Sequence, residues 1–313
     1  MLIYLCRRIA AVLPVVLIVG VLVFLMLRLT PGDPAAVIAG NSATSEDIAQ
    51  IRTQLGLDKP IATQFAIWAK RMATGDFGES FFYKKSVASL ILDRLEPTIS
   101  LAVLTILIAT LISTPLGTLA AYLQGSWFDR IVMGFSVLGF SLPVFVIGYL
   151  LIYLFSVTLG WFPVQGYQRL SDGFAGFLYR LILPSLTLSI VYVALLARMT
   201  RTSVLEVLNE DYVRTARAKG LSEFRVVVRH ALRNAAVPIV TVIGISLALL
   251  ISGVVVTESV FNIPGLGRLT VDAVLARDYP TVQAVVLLFS LTYVFINLAI
   301  DLAYVALDPR IRY

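Results

Sequence analysis

The sequence predicts an all-α polytopic membrane protein with six transmembrane helices, and three observations carry that reading. Of 313 residues, 58% are apolar and only 14% are charged, against about a quarter charged in a soluble domain; mean hydropathy is +0.89. Six stretches lack Asp, Glu, Lys and Arg altogether, at 9–27, 97–128, 131–168, 181–197, 234–257 and 279–300. Each is long enough for a helix of roughly 17–25 residues to cross a bilayer. The runs stay predominantly apolar, as in Leu101 to Ile112 and Ile245 to Val256, instead of alternating as barrel strands do.

Taken in order, the first run follows Arg7 and Arg8 and superficially resembles a secretory signal. A signal core is typically about 7–15 residues and closes on a small-residue cleavage site. This run continues to Arg28 without one, so it reads as an uncleaved helix with its N-terminus inside. Cys6, the single cysteine, excludes an internal disulfide or a cysteine-based metal cluster. Segment 30–96 is the only extended hydrophilic region. It opens on the turn cluster Thr30-Pro31-Gly32-Asp33-Pro34, in which proline presets φ and glycine permits φ > 0. Ser45-Glu46-Asp47 ahead of Ile48, Ile51 and Leu55 predicts a short helix with a capping residue and early acids. A second helix is predicted over Ile61 to Met72, stopping before Gly75-Asp76-Phe77-Gly78-Glu79-Ser80. This region reads as a small helical cap on the membrane face.

The 131–168 window is predicted as one helix of about 131–158 followed by an apolar loop, with Trp161 as an interfacial anchor. Pro115, Pro143 and Pro184 are expected to kink their helices. Six crossings starting from the inside put both termini on the cytoplasmic face. Segments 28–96, 160–180 and 258–278 then lie outside. The inner stretch 198–233 carries Arg198, Arg201, Arg214, Arg217, Lys219, Arg225, Arg229 and Arg233, and such an excess in a short loop marks the cytoplasmic side. The expected organisation is a first transmembrane helix over 1–29, a cap over 30–96 and a five-helix core over 97–313 containing an inner loop at 203–233.

That loop reads as more than a topology signal. Asp211 to Lys219 is a good helix, Gly220 permits a sharp turn, and a second short helix is predicted after it. Ser222 is its expected N-cap, with Leu221, Phe224 and Val228 on one face. Two helices meeting at a glycine make a protruding knob. A loop that only fixes topology has no use for the small residues Ala216, Ala218 and Gly220, whereas close contact with another chain does.

Arg214-Thr215-Ala216-Arg217-Ala218-Lys219-Gly220, followed by Leu221-Ser222-Glu223 and His230-Ala231-Leu232-Arg233-Asn234, resembles the EAA loop of ABC importer permeases. The resemblance is to the version found in the dipeptide/oligopeptide/nickel permease family. Of the general loop pattern only Ala216, Gly220 and Leu232 are kept; the Arg-Thr-Ala-Arg-Ala-Lys-Gly form is the narrower family's own. Thr30 to Pro34, Leu55-Gly56-Leu57-Asp58-Lys59-Pro60, Gly75 to Ser80, Phe261-Asn262-Ile263-Pro264-Gly265-Leu266-Gly267-Arg268 and Asp308-Pro309-Arg310-Ile311-Arg312 match in family order. The resemblance implies a type I importer permease in the cytoplasmic (inner) membrane of a bacterium or archaeon. It further implies a heterodimer with a second permease, two cytoplasmic ATPase subunits and an extracytoplasmic substrate-binding protein. No lysine follows a glycine anywhere, so the chain has no G-x-x-x-x-G-K phosphate loop. No catalytic residue, cofactor or metal is expected on this chain, and ATP and Mg²⁺ are expected on the partner ATPases.

Arg214, Thr215, Ala216, Arg217, Gly220, Leu221, Ser222, Glu223 and Phe224 are then the expected ATPase-coupling residues. Pro264, Gly265, Leu266 and Gly267 either enter an opened binding protein or form a tight re-entrant turn sealing the outer face. Ser141, Ser246, Asn297 and Asp301 are candidates for lining the pathway, since ionisable groups within a span are functional hypotheses by default. Asp301 near the inner end of its helix equally suits pairing with Arg310. Thr187 is a weaker candidate. A secondary transporter without an ATPase partner is disfavoured by the lack of a clear hydropathy repeat. A membrane-embedded enzyme is disfavoured by a single histidine and no H-E-x-x-H or G-x-S-x-G element. Peptides, glutathione included, fit better than nickel, which favours His, Cys or carboxylate ligands that the apolar runs do not offer.

Overall fold

The computed structural model describes residues 2–29, 35–36, 44–54 and 56–307. The Thr30 to Pro34 cluster, Leu55 and Asp308 to Arg312 lie outside the described residues. In chain order the helices are α1 (Leu2–Leu29), α2 (Ser45–Gln54), α3 (Ile61–Ala73), α4 (Val87–Tyr122), α5 (Trp127–Ser141) and α6 (Val144–Leu151). They continue with α7 (Phe174–Leu208), α8 (Asp211–Ala218), α9 (Glu223–Arg225), α10 (Ala236–Val260), α11 (Leu266–Leu275) and α12 (Tyr279–Leu307). Wider π turns at Ile152–Thr158 and Val226–Leu232 prolong α6 and α9. Among the described residues the only extended pairing is an isolated bridge, Glu79 to Ser86.

Each of the six apolar stretches carries helix. Val87–Tyr122, Phe174–Leu208 and Tyr279–Leu302 are singly long and apolar enough to cross a membrane, and α1 holds the shorter apolar stretch Val12–Met26. Two further candidate spans are bent pairs, Trp127–Ser141 with Val144–Thr158 at 105° and Glu223–Leu232 with Ala236–Ile251 at 60°. The expected single helix over about 131–158 is therefore corrected to two. Pro143 has no N–H to continue the ladder and drives the residue before it out of the helical region; Leu142 sits at φ −92°, ψ 130°. Pro115 and Pro184 lie inside continuous helix, as does Pro97, so α4 begins at Val87, ten residues ahead of its apolar run.

The chain divides into two compact units, Met1–Glu96 with Arg268–Phe295 and Pro97–Gly267 with Ile296–Tyr313. In the first, α2 starts at the predicted place but with a different cap. Thr44 Oγ1 accepts the Asp47 N–H at 3.2 Å while the Asp47 carboxylate accepts the Thr44 N–H at 2.9 Å, a reciprocal capping box one residue before Ser45. These bonds hold the Asp47 carboxyl below its ordinary pKa. Helix α3 packs on α1 through aromatic rings, with the Phe24 centroid 5.2 Å from Phe65 and 5.7 Å from Trp68. Helix α12 is tied to α1 by Gln283 Nε2 donating to the Val23 carbonyl at 2.9 Å.

The second unit is built around α7. Leu181, Leu188 and Leu196 on α7 join Leu101, Leu250 and Phe261 in one buried cluster. Small residues let neighbours approach closely, as is usual between membrane helices. A Cβ on Gly117 would come within 2.7 Å of Thr200 Cβ, and one on Gly139 within 2.9 Å of Ala194 Cβ. Apolar side chains such as Leu138, Tyr149, Leu150 and Tyr153 are exposed instead, the arrangement expected of a surface that meets lipid.

Candidate functional site

The inner loop forms a helix, a glycine turn and a second helix, as the sequence predicts. Helix α8 ends in a Schellman motif: the Gly220 N–H donates to the Arg217 carbonyl at 2.9 Å and the Leu221 N–H to the Ala216 carbonyl at 3.4 Å, with Gly220 at φ +78°. Glycine takes this left-handed conformation without a Cβ penalty. The turn is braced from outside by Arg217 Nε donating to Glu223 at 3.0 Å, while Arg214 pairs locally with Asp211 at 3.3 Å. Asn234 Nδ2 donates to the Tyr212 hydroxyl at 2.9 Å.

Packing here revises four expectations. Ala216 is buried within its own chain, with Val213, Val226, Ala231 and Ala235, so intrachain contact already accounts for its small size. Nothing lies within 4 Å of a Cβ built on Gly220, so the turn, and no close approach within the chain, is what requires glycine. Ser222 occupies the N-cap position but makes no side-chain capping bond. Leu221 packs inward and Val226 is fully buried, whereas Phe224 is 76% and Val228 42% exposed; the three residues expected on one face are split. A π turn from Val226 shifts the register by one residue, and such turns recur at functional sites. The knob thus presents an aromatic ring and several cations to its surroundings.

At the other expected site, Pro264 and Gly265 end the tight turn after α10, and Leu266 and Gly267 open α11. Ile263 and Leu266 are buried, Asn262 and Pro264 exposed. The turn is folded over Glu258, which counting charge-free runs assigned to an outer loop. Helix α10 instead continues to Val260, because no breaker precedes Asn262, and carries Glu258 into a fully buried position. There the carboxylate accepts the Thr98 hydroxyl at 2.5 Å, and Thr98 Oγ1 in turn accepts the Leu266 N–H at 2.8 Å.

The pathway candidates do not converge. Ser141 is exposed and donates to its own helix at the Val137 carbonyl, 2.8 Å away. Ser246 is fully buried with no hydrogen-bond partner for its hydroxyl among the described residues. Asn297 and Asp301 lie one turn apart on α12, both half-buried, and Thr187 donates back to the Leu183 carbonyl at 2.9 Å. A buried ion pair was not anticipated. Asp129, which stands between the apolar runs 97–128 and 131–168, sits in the first turn of α5 after the N-cap Ser126 and takes Arg201 bidentately at 2.5 and 2.7 Å. The only sequence signal for it was Asp129 standing just before a long apolar run.

Residues 113–313 match the family described as binding-protein-dependent transport system inner membrane component. Residues 1–102 match the N-terminal membrane component of the same kind of system. The chain is 53% identical over 311 residues, 99% of either chain, to a probable peptide ABC transporter permease protein of Sinorhizobium fredii. It is 47% identical over 307 residues, 98% of either chain, to a putative peptide transport system permease protein of Brucella abortus. It is 47% identical over 313 residues, the whole of both chains, to a glutathione transport system permease protein of Salmonella choleraesuis. A chain of the inward-facing MetNI methionine ABC transporter superposes with a TM-score of 0.59 at 18% identity, covering 70% of this chain and 96% of that one, a likeness of fold.

Proposed function

The chain belongs to the family of binding-protein-dependent transport system inner membrane components, and from that membership we propose that it is the permease subunit of an ATP-driven importer of short peptides, glutathione included. The observation that carries this reading is the 53% identity, along 99% of both chains, to a relative named as a peptide permease. The subunit is itself no enzyme. ATP and Mg²⁺ bind on two partner ATPases at the cytoplasmic face, and a second, similar permease completes the pathway as a heterodimer. An extracytoplasmic binding protein delivers the substrate. In this reading the protein crosses the inner membrane six times with both termini inside, α1, the bent pair Trp127–Thr158, α10 and the three long helices each counting as one crossing. The cap helices α2 and α3 then face the binding protein.

Coupling runs through the knob at 211–232. ATPase closure moves the Schellman turn and the exposed Phe224 as one body, because the Arg217–Glu223 bridge ties the two helices across Gly220. Rigid-body gating about a midplane site then alternates access. The outer turn at 262–265 acts as a gate element that offers Asn262 and Pro264 to the binding protein, a reading supported by the exposure of those two residues. Gly220→Val tests the coupling: a β-branched residue is poorly tolerated at φ > 0, yet nothing nearby clashes. The expected outcome is a folded complex that has lost peptide uptake and substrate-stimulated ATPase activity. Wild-type values for both remove the knob from the mechanism.

A further inference from the structure

The first compact unit holds a half-open cavity of about 330 Å³ that the coupling and gating residues leave unused. Its lining is rich in donors. Arg28, just past the apolar stretch of α1, is half-buried; its Nε and Nη2 donate to Gln64 Oε1 at 2.9 and 2.7 Å and its Nη1 to the Phe24 carbonyl at 2.9 Å. Gln64 is itself held, donating to the Lys59 carbonyl at 2.7 Å, so the pose of the guanidinium is set before anything binds. Among the described residues no carboxylate pairs with Arg28. The Trp68 indole N–H, on the same wall, is buried with no acceptor among the described residues. Arg71 is neutralised by Asp76 at 2.8 Å, which leaves Lys59 as the second available cation.

A partly desolvated cation that has no carboxylate partner among the described residues favours an incoming anion, and charge-assisted bonds to a pre-positioned Arg are the strong ones. The rest of the wall narrows the ligand. Glu79 is the one carboxylate lining the cavity among the described residues, and Ile67, Met72, Phe77 and Phe81 supply apolar surface. The volume lies at the small end of ligand pockets, roughly 300–1,000 Å³. A cationic side, one anionic group and an apolar wall match a small zwitterion bearing an apolar side chain.

We propose that this cavity binds a short peptide with free ends, its C-terminal carboxylate held by Arg28 and Lys59 and its terminal ammonium facing Glu79. The peptide assignment rests on the importer reading; the donors by themselves ask for an anion, and an anionic lipid phosphate offers the same acceptor chemistry. The test is binding of Ala-Phe, Ala-Phe amide and N-acetyl-Ala-Phe to the assembled transporter in phosphatidylcholine nanodiscs without binding protein. Amidation is expected to weaken binding at least about tenfold and acetylation several-fold. Arg28→Gln and Lys59→Gln each erase most of the acid-over-amide preference, and Glu79→Gln erases the preference for the free amine. Each preference is a ratio within one variant, so a reduced folded fraction cancels out. Equal binding of acid and amide by the wild type overturns the proposal, as does a preference that survives in both Arg28→Gln and Lys59→Gln. It is also overturned if Arg28-dependent retention of phosphatidylglycerol takes the place of peptide binding. Uptake of Ala-Phe by the complete ATP-driven system is scored separately: uptake without acid preference at the cavity sinks the site alone, and lack of uptake of any peptide sinks the importer reading.

Discussion

Gly265 lies directly against the carboxylate of Glu258, in the space that a Cβ would fill. The carboxylate is fully buried, and the 262–265 turn and the start of α11 close over it, with the Ile263 N–H donating to the Glu258 carbonyl at 2.9 Å. At Gly267 a Cβ would come within 2.5 Å of Val255 Cα and 2.9 Å of its Cγ2.

Gly265→Ala and Gly267→Ala are therefore expected to destabilise the protein by about 1–3 kcal/mol each, the cost of overpacking a closed site. Gly134→Ala is the control: it is helical, with nothing within 4 Å of an added Cβ, so it should be neutral or slightly stabilising. Thermal unfolding of the purified protein compares the three. Coincident transitions for Gly265→Ala and Gly134→Ala mean that the turn shifts freely and is not held on Glu258.

Asp129 and Arg201 form a bidentate pair whose side chains are 6% and 19% exposed. Removing one partner strands the other, so Asp129→Leu or Arg201→Met should each cost roughly 3–5 kcal/mol. The double change Asp129→Leu with Arg201→Met should cost clearly less than the two singles added together, because both buried charges go at once. Additive losses in a denaturation series are incompatible with direct coupling.

The Asp278 carboxylate gathers donors from both sides of a loop. It accepts the Ser80 hydroxyl at 2.5 Å, the Phe81 N–H at 3.2 Å and the Thr281 hydroxyl at 2.7 Å. Ser80→Ala removes one of these from a buried acceptor, at an expected cost of about 1–3 kcal/mol. Faster hydrogen exchange across 78–86 is the local readout, and unchanged exchange there argues against the tether.

Asp76 gives the cap its acid sensitivity. The Arg71 side chain donates to it and the Gly78 N–H donates at 3.0 Å, which holds its pKa below the ordinary 3.8. A lowered folded-state value means that the bond contributes in full above about pH 3.8 and is lost as the pH falls through the lowered value. Because the pair is half exposed, the effect is small. Exchange at Gly78 should accelerate, relative to its intrinsic rate, on acidification through that window in the wild type and stay flat in Asp76→Asn.

The helices and their places along the chain were legible in the residues because a run without charges must either enter lipid or be buried, and that property is local. The knob was legible for a similar reason, since Gly220 between two helical patterns has one economical conformation. The cap of α2 was missed by one residue because Thr44 and Ser45 are both competent N-caps, and only the return bond from Asp47 separates them. The split of Leu221 from Phe224 was missed because a regular helical period was assumed where the chain adopts a π turn.

By itself the sequence determined a helical membrane protein, the positions of its six apolar runs, the basic inner loop and the family motifs. Only the tertiary structure decided where the isolated charges go. Glu258 and Asp129 stand at the edges of apolar runs, and nothing adjacent says whether water or protein will solvate them. The answer comes from Thr98, 160 residues from Glu258, and Arg201, 72 residues from Asp129. Burying a carboxylate is tolerable only where such a partner arrives, and arrival is a matter of how the helices pack.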